Sequence, residues 1–270
     1  HLGGGNHPEL GGQGNLEAAR MTHGSLFSGI GGFDLGFERA GIKTLWQVEI
    51  DEYCRRVLAK HFPDAERFGD IRECGAHNLK PVDIISGGFP CQDISAAGKR
   101  IGITGSRSGL WKEMLRIVRE LRPTWVLVEN VDNLRRNGAD TVLGDLEEND
   151  YSSWPIVVGA WAVGCKHNRN RTWILCHSNG GDALGSELGQ LSVLPIKEWA
   201  MAQKEQGWHK RLNELVPRDK CEGVAAYARI VRGANGIPNR LDRFRALGNS
   251  VNPEIATMLG LFVNKVDALG

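Results

Sequence analysis

The amino-acid sequence predicts an α/β fold: a doubly wound, mostly parallel sheet with helices on both faces. Two observations carry this. Short, nearly continuous apolar runs alternate with segments of helical period, the pattern of strands buried on both sides. Each run also stops at glycines, an acid or a cysteine, and open α/β sheets bind their ligands beyond the carboxyl ends of the strands.

The elements follow in order. Residues 1–20 are Gly-rich, without pattern, and lack the basic start and apolar core of a signal peptide. They read as a disordered extension or cloning scar, with Met21 as the expected native start. The first run, "GSLFS" (24–28), meets the glycine turn Ser28-Gly29-Ile30-Gly31-Gly32 and the helical "FDLGFERAG". The second, "TLWQVEI" (44–50), ends at Glu49; Asp51 then caps a helix in which Cys54, Val57, Leu58 and His61 recur at helical spacing. The third, "VDIIS" (82–86), leads through Gly87-Gly88-Phe89 to Pro90-Cys91. Leu110, Met114, Ile117, Val118 and Leu121 mark one apolar helix face, closed by Pro123. The fourth run, "WVLVE" (125–129), ends at Glu129-Asn130.

Bulk properties bound the answer. A chain of 270 residues suits one large domain, or one domain with a small appendage. No apolar run approaches the roughly 20 residues needed to span a bilayer, so no membrane role is expected. The six cysteines form no CxxC pair, so no metal is expected and the thiols read as reduced. A net charge of +1 argues against polyanion binding over the whole surface. Between Lys197 and Arg245, however, eleven Lys/Arg face six Asp/Glu, a local excess that is either a solvated face or a contact surface.

Each candidate residue has a chemical reason. The glycine turn permits close backbone approach ahead of a helix N-terminus, although Asp34 stands where the last glycine of G-x-G-x-x-G would be. Glu49 suits ribose hydroxyls, so an adenosine-containing ligand without the pyrophosphate pattern is implied; that points to S-adenosylmethionine more than to NAD. Cys91 follows a proline that fixes φ, and precedes a basic, glycine-punctuated loop whose Lys99, Arg100 and Arg107 are able to favour a thiolate. Glu129, partly desolvated, would hold a proton near neutrality. In "HNRNRTWILC", Arg169 and Arg171 fall on one face of a strand and suit an anionic or carbonyl-rich ligand.

Taken together, seven segments in order from about Ser25 to the C-terminus resemble the cytosine-C5 DNA methyltransferases of bacteria and phage. "LFSGIGGFDLGFERAG" is similar to the family's cofactor loop, "VEIDEYCRRVLAKHFP" to its ribose-binding segment and "GDI" (69–71) to its adenine-contacting turn. "GGFPCQDIS" resembles the Pro-Cys loop and "VLVENV" the Glu-Asn-Val motif. "HNRNRTWIL" matches the Gln-x-Arg-x-Arg strand, and "RALGNSVNP" the terminal Gly-Asn-Ser-Val segment. The resemblance implies a Rossmann-like, S-adenosylmethionine-dependent fold spanning residues 21–178, a small target-recognition domain at 179–239 and a return at 240–270.

It further implies that Cys91 is the nucleophile, Glu129 the acid at cytosine N3, and Arg171, supported by Arg169, the holder of the base carbonyl. Phe27, Gly29, Ile30, Gly31, Gly32, Glu49, Ile50, Asp70, Ile71, Pro90, Leu110, Asn249 and Val251 would line the cofactor site. Lys99, Arg100, Arg107, Lys210, Arg211 and Arg232 would contact double-stranded DNA; Lys197, Lys204 and Arg229 are further candidates, while Trp199 and Trp208 read as core. A cytoplasmic monomer is implied, with any restriction endonuclease acting separately. Two departures stand out: His167 replaces the usual Gln, and Ile50 an aromatic. Asn252-Pro253 then starts a C-terminal helix expected to pack on the first helix. Rival readings are methylation of tRNA cytosine, a catalytically inactive DNA-binding protein and a nicotinamide oxidoreductase. Adenine-N6 methylation is disfavoured because no Asp/Asn-Pro-Pro-aromatic tetrapeptide occurs.

Overall fold

The computed structural model describes residues 21–90, 109–134, 138–163, 169–178 and 249–268. Among the described residues, seven strands form one sheet: β1 Thr22–Leu26, β2 Lys43–Val48, β3 Glu66–Phe68, β4 Ile84–Gly87, β5 Trp125–Val131, β6 Ser152–Gly159 and β7 Asn170–His177. The helices are α1 Gly32–Arg39, α2 Glu52–His61, α3 Gly109–Leu121, α4 Ala139–Glu147 and α5 Pro253–Asp267, with short 3-10 turns at Ile71–Glu73 and Ala160–Val163.

Strand order is β3-β2-β1-β4-β5-β7-β6, and β1 to β5 run parallel. Strand β7 is inserted antiparallel between β5 and β6. Its pairing carries β5 on to Val131, whereas the β4 ladder stops at Val128. Glu129 and Asn130 therefore lie inside a strand, not beyond its end. Glu49 and Ile50, by contrast, sit just past β2, because the strand closes at Val48.

Two apolar layers sandwich the sheet. On one face Trp111, Met114, Ile117 and Val118 of α3, with Val142 and Leu146 of α4, cover Ile85, Val126, Val128 and Ile174. On the other, Phe33 and Phe37 of α1 and Ile255, Leu259 and Val263 of α5 cover Ile84, Leu127, Trp173 and Leu175. Helix α5 does return to α1, as expected. Ala256 lies so close to Gly36 that a Cβ there would come within 2.4 Å, and Asn264 Nδ2 donates to Ala40 O at 2.8 Å.

Local caps match the sequence. Asp51 accepts from Cys54 N–H at 3.0 Å, and Asn252 from Glu254 N–H at 2.9 Å with Pro253 in the first turn. In the helical set read from the second segment, Cys54 and Leu58 are buried while His61 is exposed. At the sheet centre, buried His23 bridges Thr44 Oγ1 (3.0 Å) and Ser86 Oγ (2.7 Å), tying three strands together. Burial pushes its pKa down to about 3, so it stays neutral. No described helix is long and apolar enough to cross a membrane.

Candidate active site

The carboxyl edge of β1, β2, β4 and β5 gathers most of the described candidates. After β1 the chain turns sharply: Phe27 takes a left-handed φ of 53°, rare for a bulky residue, and Gly29 and Gly31 follow at 56° and 87°. Ser28 anchors the turn, its N–H donating to Val48 O (3.1 Å) and its Oγ to Ser25 O (3.0 Å). Gly29 N–H donates to Glu49 Oε2 at 2.7 Å, and Asp51 N–H to Glu49 Oε1 at 2.8 Å. A carboxylate has about four acceptor sites, so lone pairs remain on Glu49 for ribose hydroxyls. Burial raises its pKa against those two hydrogen bonds. The donor set thus fits an adenosine-type ligand.

The rest of the rim follows. Asp70 caps the first 3-10 turn and pairs with Arg72, Nε to Oδ1 at 2.9 Å, which holds its carboxyl below the usual range. Ile71 is buried beneath it, and Leu110 is half-buried in the first turn of α3. Ile50 is 66% exposed, an apolar side chain standing open where the sequence led to expect a stacking position. Val251 is brought against the glycine turn: a Cβ on Gly32 would lie 2.4 Å from Val251 O. Asn249 is exposed at the described edge of the C-terminal segment.

The acid and the two arginines form a second cluster on the α1/α5 face. Arg171 pairs across the ladder with Val131, which makes Glu129 its diagonal neighbour on the same face. The Arg171 Nε–Glu129 Oε1 distance is 3.0 Å, and the Glu129 side chain is only 10% exposed. Desolvation pushes the Glu129 pKa up to about 7, against the pull of Arg171 and Arg169. Arg169, two residues earlier, donates to Ser250 O at 2.7 Å, tying β7 to the segment that touches the glycine turn.

Strand β4 runs into the same cluster. A Cβ on Gly88 would lie 3.1 Å from Glu129 Oε2, and Asn130 Nδ2 donates to Phe89 O at 3.2 Å. Pro90 is exposed at the end of this turn. Cys91, Lys99, Arg100, Arg107 and His167 lie outside the described residues, as do Lys210, Arg211, Arg232 and the whole 179–239 segment. Among the described residues, no group of three or more His, Cys, Asp or Glu is placed to hold a metal.

Sequence reasoning missed several supporting residues. The motif around Asn130 gives it no task of its own, yet its side chain holds Phe89 O in the turn that leads towards Cys91. Asp34, noted for the glycine it displaces, is wholly buried and accepts from Ser25 Oγ (3.1 Å) and Gln47 Nε2 (2.9 Å). Arg55 donates to Glu49 O (2.9 Å) and Ile50 O (2.7 Å). None of these contacts has a local signature in the sequence.

The family model for C-5 cytosine-specific DNA methylases matches residues 21–228. The chain belongs to that family. Relatives of this family member include the Type II methyltransferase M2.BsuMI of Bacillus subtilis strain 168, 39% identical over 219 residues, covering 73% of this chain and 55% of the relative. Type II methyltransferase M1.ScrFI of Lactococcus lactis subsp. cremoris is 36% identical over 173 residues, covering 62% and 44%. A solved structure described as a DNA modification methyltransferase encoded within an E. coli prophage shares 30% identity, with a TM-score of 0.50 over 58% of this chain and 46% of the other. The chain spans about half the length of the curated relatives it matches. The Rossmann-like fold of S-adenosylmethionine-dependent methyltransferases, expected from the sequence, is the fold found.

Proposed function

We propose that this chain transfers a methyl group from S-adenosylmethionine to C5 of a cytosine flipped out of a specific duplex DNA sequence, through a transient bond between Cys91 and C6. The observation that carries the reading is Glu129: a buried, near-neutral carboxyl held by Arg171 and set against the turn that leads into Cys91. A cytosine carbon is a poor nucleophile. Addition of the Cys91 thiolate at C6 makes C5 enamine-like, and a proton from Glu129 at N3 offsets the charge that the addition creates. Arg171 orients Glu129 and would hold the base carbonyl, while Arg169 ties the C-terminal segment to β7.

Glu49, the close-approach backbone of the glycine turn, Asp70, Ile71, Leu110 and Val251 would hold the cofactor, which when bound supplies an electrophilic methyl group. Once C5 carries the methyl group, the N3 proton returns to the Glu129 carboxylate, and loss of the C5 proton to solvent water breaks the C6–S bond and releases the Cys91 thiolate. C6 is inaccessible in stacked DNA, so the base must leave the helix. Residues 179–239, with Lys210, Arg211 and Arg232, would read the DNA, and Lys99, Arg100 and Arg107 would close on it. The protein would act as a monomer in bacterial or phage-infected cytoplasm. It would act either as an orphan enzyme or, as the Type II designation of the relatives supports, beside a restriction endonuclease acting separately.

Incubation with radiolabelled S-adenosylmethionine and either unmethylated genomic DNA or tRNA tests the reading. Label in 5-methylcytosine of DNA is expected; label confined to tRNA, or none in either, overturns it. With 5-fluorocytosine-substituted DNA the wild-type chain should form a covalent adduct that Cys91→Ala does not, while Cys91→Ala keeps DNA affinity within about threefold because it leaves the phosphate contacts intact.

A further inference from the structure

Strand β3 is three residues long and lies at the sheet edge, so the chain after it has no strand ladder to hold it. That chain nevertheless carries Asp70 and Ile71, two residues of the candidate cofactor rim. From inside, the buried Ile71 side chain anchors it. From outside it is held by side chains of α3, chief among them Arg116. Arg116 Nη2 donates to Ile71 O at 3.1 Å and to Cys74 O at 2.8 Å. The two carbonyls stand at the start and the C-cap of a one-turn 3-10 segment; Ile71 O also accepts from Cys74 N–H at 3.1 Å, while no following helical turn is available to donate to Cys74 O.

The arginine is itself held in place. Its Nε donates to Glu113 Oε2 (2.9 Å) and its Nη1 to Glu120 Oε1 (2.8 Å), partners three residues before and four residues after it on the same helix. Glu120 Oε2 in turn accepts from Ala76 N–H at 2.9 Å. The loop passes directly beneath: a Cβ on Gly75 would lie 2.4 Å from Glu120 Oε2 and 3.2 Å from Arg116 Nη1. Helix α3 also carries Leu110, six residues and about 9 Å of helix axis before Arg116. One rigid element therefore sets the spacing of two walls of the rim. The same device recurs with Arg55 on Glu49 O and Ile50 O, and with Arg169 on Ser250 O.

We infer that Arg116 is a positioning residue for cofactor binding: through the carbonyls of Ile71 and Cys74 it fixes the Asp70–Ile71 turn relative to Leu110, without touching the ligand. The inference rests on the proposed S-adenosylmethionine site. The wild-type chain, Arg116→Ala and Arg119→Ala are compared by calorimetric titration with S-adenosylhomocysteine, by steady-state kinetics and by thermal midpoint. Arg119→Ala removes the same charge from the same helix with an exposed contact to Asn149, and should match the wild type in cofactor affinity. In Arg116→Ala the Kd for S-adenosylhomocysteine and the KM for S-adenosylmethionine should rise about tenfold, the loss of two pre-aligned hydrogen bonds. Turnover at saturating cofactor and the KM for DNA should stay within about twofold, because the interaction acts on binding and not on the chemical step.

A lowered thermal midpoint with an unchanged Kd would make Arg116 a stability residue only and overturn the inference, as would lost turnover with unchanged cofactor KM. Should Arg116→Ala fail to fold, Arg116→Lys serves instead: it keeps the charge and the stem but loses the planar fork that donates to both carbonyls, and should raise the same Kd, an unchanged Kd again counting against the inference. A wild-type chain that binds no S-adenosylhomocysteine removes the cofactor reading itself, a result distinct from equal binding by wild type and variant.

Discussion

Glu129 is subject to two opposing effects, and their balance sets its chemistry. Removal from water disfavours the carboxylate, while the Arg171 guanidinium at 3.0 Å favours it; burial wins, leaving a pKa of about 7. A donor at cytosine N3 must be protonated, so the competent fraction dominates below pH 7 and falls about tenfold per unit above it. The Cys91 thiol titrates in the opposite sense, and comparison with a variant cancels that contribution. Glu129→Gln should lower single-turnover methylation by roughly 10²–10⁴-fold near neutrality. The ratio of wild-type to variant rate should then shrink as pH rises from 7 to 9. A ratio independent of pH would exclude Glu129 as the proton donor, whatever the size of the defect.

At the scale of one element, α1 shows how a local departure from motif becomes structural. Its N-terminus carries the glycine turn, and Asp34 in its first turn faces inward, bound to Ser25 of β1 and Gln47 of β2. The helix dipole favours a negative charge there. Full burial opposes it, and the Asp34 pKa rises to about 6 from 3.8. The native state thus binds this proton more tightly than the unfolded chain. The associated stability is complete below pH 4 and is lost as pH rises through 6. The shift corresponds to about 3 kcal/mol at most. Asp34→Asn keeps an acceptor for Gln47 and carries no charge. Urea unfolding at pH 4.5 and 8 should show the wild type losing about 2 kcal/mol relative to this variant over that interval. Parallel losses in the two proteins would mean that Asp34 titrates normally.

Across the whole molecule, what could be read from the sequence is what is local. The Asp51 and Asn252 caps, the α3 face from Leu110 to Leu121 and the acids and glycines at strand ends each depend on neighbours a few residues away, and each has its place in the fold. Strand β3 is too short to show a period, and Pro155 interrupts the pattern of β6. The insertion of β7 between β5 and β6 is a choice of partners that periodicity does not encode. Arg116 reaches carbonyls 42 and 45 residues away, and a charged residue on a helix carries no mark of that. Glycine is equally silent: Gly36 in α1 and Gly144 in α4 look alike, each a helix-weakening residue inside a helix. The tertiary structure separates them. A Cβ on Gly36 would meet Ala256 Cβ at 2.4 Å, Pro253 O at 2.7 Å and Thr257 N at 2.8 Å, whereas none of the described residues lies within 4 Å of one on Gly144. Gly144→Ala should therefore stabilise the protein by about 0.5–1 kcal/mol through helix propensity alone. Gly36→Ala has the same propensity gain but must push α5 off α1, at a cost of about 1–3 kcal/mol, and the displacement reaches the site, because Ser250 and Val251 directly precede that helix and touch Arg169 and Gly32. Denaturant midpoints should move in opposite directions for the two variants, with S-adenosylhomocysteine affinity reduced only in Gly36→Ala. A Gly36→Ala chain with wild-type cofactor affinity would disconnect the C-terminal return from the binding site.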